Sequence, residues 1–90
     1  MAKAIVDPNE LRRFAADLKK FNVDVQTQMA RLAASLGSLQ QTWRDQEQAK
    51  FAEEFEQTMR SLQRFLKVSE EFVPFLARKA ERIEDYLNQR

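Results

Sequence analysis

Apolar side chains recur every three or four residues along the first half of this chain, from Leu11 to Trp43, without a gap. The steps average about 3.6 residues, which is the period of an α-helix. At 1.5 Å per residue the pattern predicts one helix about 50 Å long. Because the chain has only 90 residues, such a helix leaves room for one partner of similar length and excludes most other folds.

The beginning of this helix is marked by Asp7, Pro8 and Glu10. These residue types suit the N-cap, the first and the third helical positions, respectively. We therefore predict helix 1 over about residues 8 to 43.

A second apolar pattern follows a short turn at about residues 43 to 46. Asp45, with Gln48 three positions later, is typical of a residue that caps a helix N-terminus. Heptad-spaced apolar residues then predict helix 2 over about residues 46 to 88. Pro74 predicts a kink, because proline cannot donate to the carbonyl of Glu70. The alternative is a true break, with a separate short helix from Phe75 onwards.

The apolar columns of helix 2 span about 100°, which is too wide for a two-stranded seam and suits a helix that contacts two neighbours. We therefore predict an all-α fold. A single domain, residues 1–90, forms a two-helix antiparallel hairpin that dimerises into an elongated four-helix bundle. The predicted core of that bundle consists of Leu18, Phe21, Val25, Leu32, Leu36, Leu39, Phe51, Phe55, Leu62, Phe65, Leu66, Phe72, Leu76 and Ile83.

Helix 1 carries a second stripe, made of small residues. One interpretation is that alanine simply favours helix formation. The other is a dimer interface, since small side chains let another helix approach closely. Gly37 favours the second interpretation, because glycine inside a helix costs about 1 kcal/mol relative to alanine. The candidate interface residues are Ala16, Val23, Ala30, Ala33, Ala34 and Gly37.

The composition argues against catalysis and metal binding. There is no cysteine and no histidine, so thiol nucleophiles, the commonest general base and the usual zinc ligands are missing. Carboxylate pairs such as Glu53 and Glu56 lie off the apolar columns and face water, whereas a catalytic pair needs burial and a cleft that holds substrate. The single glycine excludes glycine-rich phosphate loops. We expect no enzyme activity, no metal site and no cofactor.

The charge pattern argues against nucleic acid as a partner. Fifteen basic and fourteen acidic residues leave a net charge of +1, so no long-range field favours an anionic polymer. Stable membrane insertion is not expected either, because no stretch approaches the roughly 20 apolar residues of a membrane span. We expect a protein made in the cytoplasm without a signal peptide.

The corner of the hairpin resembles a known family. Helix, tryptophan-containing turn and helix in about ninety residues, with Trp43, Arg44 and Asp45 at the midpoint, are similar to the WXG family of small ESAT-like type VII secretion substrates. Here Asp45 stands where the family's Trp-x-Gly motif has glycine. The resemblance implies a homodimer, or a heterodimer with a paralogous hairpin protein, exported folded without a cleaved leader. It also implies that Trp43 helps to form a groove for a partner's C-terminal segment.

Many family members carry a Tyr-x-x-x-Asp/Glu export signal after the second helix, which a secretion ATPase reads. Here Tyr86 matches, but Arg90 stands at the acidic position. Export then requires that a partner supplies the signal or that the machine reads another one. The alternative function is a cytosolic coiled-coil adaptor or chaperone-like protein that is not exported.

Overall fold

The computed structural model describes residues 6–89 as two long antiparallel helices. Helix α1 is Pro8–Leu39 and helix α2 is Gln46–Asn88. Their direction follows from two pairs: Arg12 near the start of α1 contacts Glu84 near the end of α2, and Trp43 contacts Phe51 at the closed end. The predicted all-α helical hairpin is confirmed. Residues 1–5 and Arg90 lie outside the described part of the chain.

Both helices begin at an aspartate that caps their free backbone N–H groups. A carboxylate oxygen of Asp7 accepts a hydrogen bond of 2.9 Å from the backbone N–H of Asn9. Asp45 accepts one of the same length from the N–H of Gln48. Because these bonds satisfy donors that the first helical turn leaves open, the sequence determines where each helix begins.

Helix α1 ends at Leu39, four residues before the end that the apolar pattern predicts. The carbonyl of Leu39 accepts from the N–H groups of both Thr42 and Trp43 and also from the hydroxyl of Thr42. Such crowding on one carbonyl converts the last turn to tighter hydrogen bonds, and a threonine hydroxyl that bonds the backbone favours this conversion. The turn between the helices therefore spans residues 40 to 45 and not 43 to 46.

Helix α2 continues unbroken through Pro74. The alternative of a separate helix from Phe75 is therefore wrong, while a kink at Pro74 stays a prediction. Proline removes one backbone donor, but the apolar columns on both sides of it keep the same register and hold the helix together against α1.

The hairpin is long and thin, with extents of 70 × 21 × 18 Å and a radius of gyration of 20.3 Å. A compact domain of this length has a radius of gyration of about 12 Å. Among residues 6–89 the buried apolar residues are Pro8, Ala15, Leu66 and Ala80. Two helices share a single seam, so most of their apolar surface faces water.

Candidate interaction surfaces

The closed end of the hairpin is an aromatic cluster. The ring centroids of Trp43 and Phe51 lie 5.8 Å apart, and those of Phe51 and Phe55 lie 5.9 Å apart in a stacked arrangement. Trp43 is half-buried, whereas Arg44 and Asp45 are exposed. Within the turn motif, Trp43 therefore packs against α2, and Asp45 caps the N-terminus of α2.

One side of the hairpin exposes large apolar side chains from both helices. The rings of Phe21 and Phe65 meet edge to face, with centroids 6.4 Å apart, and heptad spacing places further large residues on the same side of each helix. Each member of this set is between 44% and 56% exposed. We call it the phenylalanine face, which consists of Phe14, Phe21, Leu32, Leu39, Phe51, Phe65 and Phe72.

An open apolar groove runs between the helices on this side. It has a volume of about 390 Å³, and Phe21, Val25, Leu32 and Leu62 are among its lining residues. All members of the phenylalanine face except Phe14 were predicted to belong to the core of a four-helix bundle. In one hairpin they are half exposed, because the seam covers only the inward edge of each helix. Their burial therefore needs a second hairpin and stays a prediction.

The other predicted core residues lie along the seam between the helices. Leu66 is buried to 3% exposure. The half-buried members are Leu18, Val25, Leu36, Phe55, Leu62, Leu76 and Ile83. Their place in the core of a four-helix bundle stays a prediction.

The small-residue stripe lies on the other side of α1 and is exposed along its whole length, at Ala16, Val23, Ala30, Ala33, Ala34 and Gly37. A Cβ added to Gly37 would meet no atom within 4 Å, so no contact inside the hairpin requires glycine there. Ala30 and Ala33 line a cavity of about 490 Å³ beside Leu66. The middle of the stripe therefore borders a concave surface next to the seam. The role of the stripe as a dimer interface stays a prediction.

A buried polar pair lies in the middle of the seam, and sequence reasoning missed it. The hydroxyl of Ser69 donates a hydrogen bond of 2.6 Å to the Oδ1 atom of Asn22. The two residues are 1% and 3% exposed. The signal in the sequence was a serine inside an otherwise apolar heptad column of helix 2.

An ion pair joins the helices at the open end of the hairpin. A guanidinium nitrogen of Arg12 donates to a carboxylate oxygen of Glu84 over 2.8 Å. This hydrogen bond, reinforced by the charge of Arg12, lowers the pKa of Glu84 below its ordinary value. The same bond raises the pKa of Arg12. The other two ion pairs in the described residues lie within one helix each, Lys20 with Asp24 and Arg60 with Glu56.

This pair predicts a dependence of stability on pH. Because the pKa of Glu84 is lower in the folded state, the stabilisation is complete above the ordinary carboxyl pKa of about 4.5 and is lost as the pH falls through the folded value. We expect the thermal unfolding midpoint of wild type to exceed that of Glu84→Gln slightly at pH 7. The two midpoints should converge in acid, as the pH falls through the lowered pKa of Glu84. A difference independent of pH would contradict this role for the carboxylate. The effect is small, because both side chains are about 40% exposed or more.

Tyr86, the residue that matches the export signal, is 66% exposed near the end of α2. Its carbonyl accepts a hydrogen bond from the N–H of Gln89. The side chain is therefore accessible to another protein, while Arg90 lies outside the described residues.

The described residues form no cluster with the composition of a metal site. Within residues 6–89, no group of three or more acidic side chains is close enough to share an ion. In the same range the buried polar side chains are Asn22 and Ser69, and neither is titratable. Neither helix combines the length and apolar character that crossing a membrane requires.

Residues 4–88 match the model of the WXG100 family, described as proteins of 100 residues with WXG. A structure of a secreted protein, EsxB from Bacillus anthracis strain Sterne, is 32% identical with a TM-score of 0.79, and the match covers 98% of this chain and all of that one. A structure of a single-residue variant of EsxB gives 30% identity and a TM-score of 0.85, over 96% of this chain and all of that one. A search of curated proteins finds no match.

The family match extends over both helices and the corner between them, and the resemblance seen in the sequence is confirmed. The substitution of Asp45 for the motif glycine is compatible with the hairpin, because in this chain Asp45 caps α2. The chain belongs to the WXG100 family of small helical-hairpin proteins.

Proposed function

We propose that this protein is a non-enzymatic type VII secretion substrate or co-secreted partner that acts by pairing its hairpin with a second hairpin. The observation that carries the proposal is the phenylalanine face, where seven large apolar side chains remain about half exposed. Monomeric soluble proteins rarely leave a contiguous apolar surface of this kind uncovered. The same face belongs to a chain whose solved relative EsxB is described as secreted.

The energetics support association through this face. Full burial of a large apolar side chain contributes about 1.5 to 3 kcal/mol, so covering the exposed half of each contributes about 1 kcal/mol. Two such faces together offer roughly 14 kcal/mol, against an association cost of roughly 4 to 15 kcal/mol. A stable complex is therefore feasible only if most of the phenylalanine face is used.

The partner in this proposal is a second copy or a paralogous hairpin protein. The small-residue stripe offers mainly methyl groups, whereas the phenylalanine face offers whole rings, and the larger apolar area favours the rings as the principal contact. The small-residue stripe, which is the candidate dimer interface in the sequence, is the rival surface. Its cavity beside Leu66 suits the close approach of another helix.

Export is the second part of the proposal. It is supported by family membership, by the description of EsxB as secreted and by the exposure of Tyr86. Because Arg90 stands at the acidic position of the export signal, a second copy of this chain cannot supply that signal. We therefore propose that a paralogous partner hairpin supplies it and that this pair leaves together. A secretion ATPase would then recognise the complex.

The experiment that tests export compares the producing cells with a strain that lacks the secretion ATPase. We expect the protein in the culture medium of the parent strain and only in the cytosol of the deletion strain, with a cytosolic enzyme as the lysis control. Protein confined to the cytosol of both strains would contradict export. That outcome would support the cytosolic adaptor.

A further inference from the structure

The seam between the helices contains one polar residue in each of two apolar columns. On α1, Asn22 interrupts the heptad column Ala15, Met29 and Leu36. On α2, Ser69 interrupts the heptad column Leu62, Leu76 and Ile83. These two exceptions face each other and share the hydrogen bond of 2.6 Å.

The pair is poorly suited to a purely stabilising role. Both side chains are withdrawn from water, and the Nδ2 group of Asn22 has no hydrogen-bond partner although it is buried. A buried donor left unsatisfied opposes folding, and apolar side chains of the same shape would pack at these positions without that penalty. A buried polar residue in an apolar helical seam is best known for selecting one alignment of the helices over others.

Alternative alignments are available to this hairpin. Apolar contacts are not directional, and a slip of one heptad would again place apolar columns opposite each other. The turn does not prevent slippage by itself. The apolar pattern of α1 continues to Trp43 at helical spacing, so α1 could lengthen by four residues, and unwinding of three residues at the start of α2 would complete a slip of seven. After a slip, Asn22 would face Leu62 or Leu76. The side chains of Asn22 and Ser69 would then both be buried without the hydrogen bond that they share in the observed register.

We propose that the Asn22–Ser69 pair sets the register of α1 against α2. The alignment matters for association, because it brings Phe21 and Phe65 into contact and so fixes the shape of the phenylalanine face. The inference concerns the single hairpin and holds whether or not the protein is exported.

The test measures the register directly with a pair of spin labels. The chain has no cysteine, so Arg13→Cys on α1 and Gln57→Cys on α2, both at exposed positions, give two labelling sites and no others. In the observed register they are separated by roughly 30 Å along the axis, and a slip of one heptad changes this by about 10 Å. Labelled chain is diluted with excess unlabelled chain so that distances between copies do not contribute.

We expect one distance in the otherwise wild-type protein and a second population, displaced by about 10 Å, in Asn22→Leu/Ser69→Ala. These replacements match the shapes of the original side chains, and we expect the thermal unfolding midpoint to stay equal or rise. The exchanged variant Asn22→Ser/Ser69→Asn keeps one hydroxyl and one amide in the seam and should return to one distance. A single unchanged distance in the apolar variant would overturn the proposal, as would a second population in the exchanged variant.

Discussion

Replacing Phe65 with alanine is expected to weaken self-association about a thousandfold. Truncation of a fully buried phenylalanine costs about 3 to 5 kcal/mol. Phe65 is 50% exposed in the hairpin, so about 2 kcal/mol of this belongs to the contact with a second hairpin. A symmetric dimer loses it twice, and about 4 kcal/mol corresponds to about three powers of ten in the dissociation constant.

Sedimentation equilibrium over a range of concentrations measures this change. Far-UV circular dichroism should show that the helices of Phe65→Ala remain, because alanine is the best helix former. A wild-type protein that stays monomeric at high concentration would contradict pairing with itself and leave the paralogous hairpin as the partner.

Two variants on the opposite side of α1 separate the two candidate surfaces. Val23→Ala removes an apolar side chain that is 55% exposed from the small-residue stripe, and Ala30→Phe fills the stripe with a ring. If the phenylalanine face is the contact, both variants should associate like wild type. If they dissociate while Phe65→Ala does not, the small-residue stripe is the interface.

The sequence predicted the two helices and where they begin, because the signals involved are local. Asp7 and Asp45 cap N–H groups two or three residues away, and apolar spacing reports helical period directly. The end of α1 was predicted four residues too late. Apolar periodicity reveals which side of a segment faces a partner, but not where its regular helical hydrogen bonds stop. The carbonyl of Leu39 accepts from the N–H of Thr42, three residues later, as well as from the N–H of Trp43, four residues later.

Burial was harder to predict than position. The columns of α2 place Phe65 and Leu66 side by side on its apolar side, yet Phe65 is 50% exposed and Leu66 only 3%. The difference depends on how far each lies from the seam with α1, which sequence spacing alone does not determine. The number of half-exposed rings indicates instead how much surface a partner could cover.

Asn22 shows a different limit of sequence reasoning. A polar residue in an amphipathic pattern is assigned to water, and the pattern gives no reason to bring this amide inside. Its burial becomes understandable only when Ser69 is seen opposite it, 47 residues away in sequence. Contacts of that separation depend on the register of the whole hairpin.

Replacing Leu66 with alanine is expected to destabilise the hairpin itself by about 3 kcal/mol. Leu66 is only 3% exposed, as core leucines are, and truncation of a core leucine costs about 2 to 5 kcal/mol. It is the largest apolar side chain buried in residues 6–89. The cavity of about 490 Å³ beside it lets neighbours and water occupy part of the void, which keeps the expected loss near the middle of the range. For a domain of this size the thermal unfolding midpoint should fall by roughly 15 °C.

Leu87→Ala is the matched control, because the same side chain at position 87 is 48% exposed. We expect it to cost less than about 1 kcal/mol. Dimer formation also raises apparent stability, so each unfolding midpoint is measured at several concentrations and compared where the variants are equally associated. Equal losses from Leu66→Ala and Leu87→Ala would mean that the seam is not the core of the molecule. We expect Leu66→Ala to lose stability while association stays unchanged, and Phe65→Ala to lose association while stability stays nearly unchanged. That result would assign folding to the seam and partner binding to the adjacent face, one residue apart on the same helix.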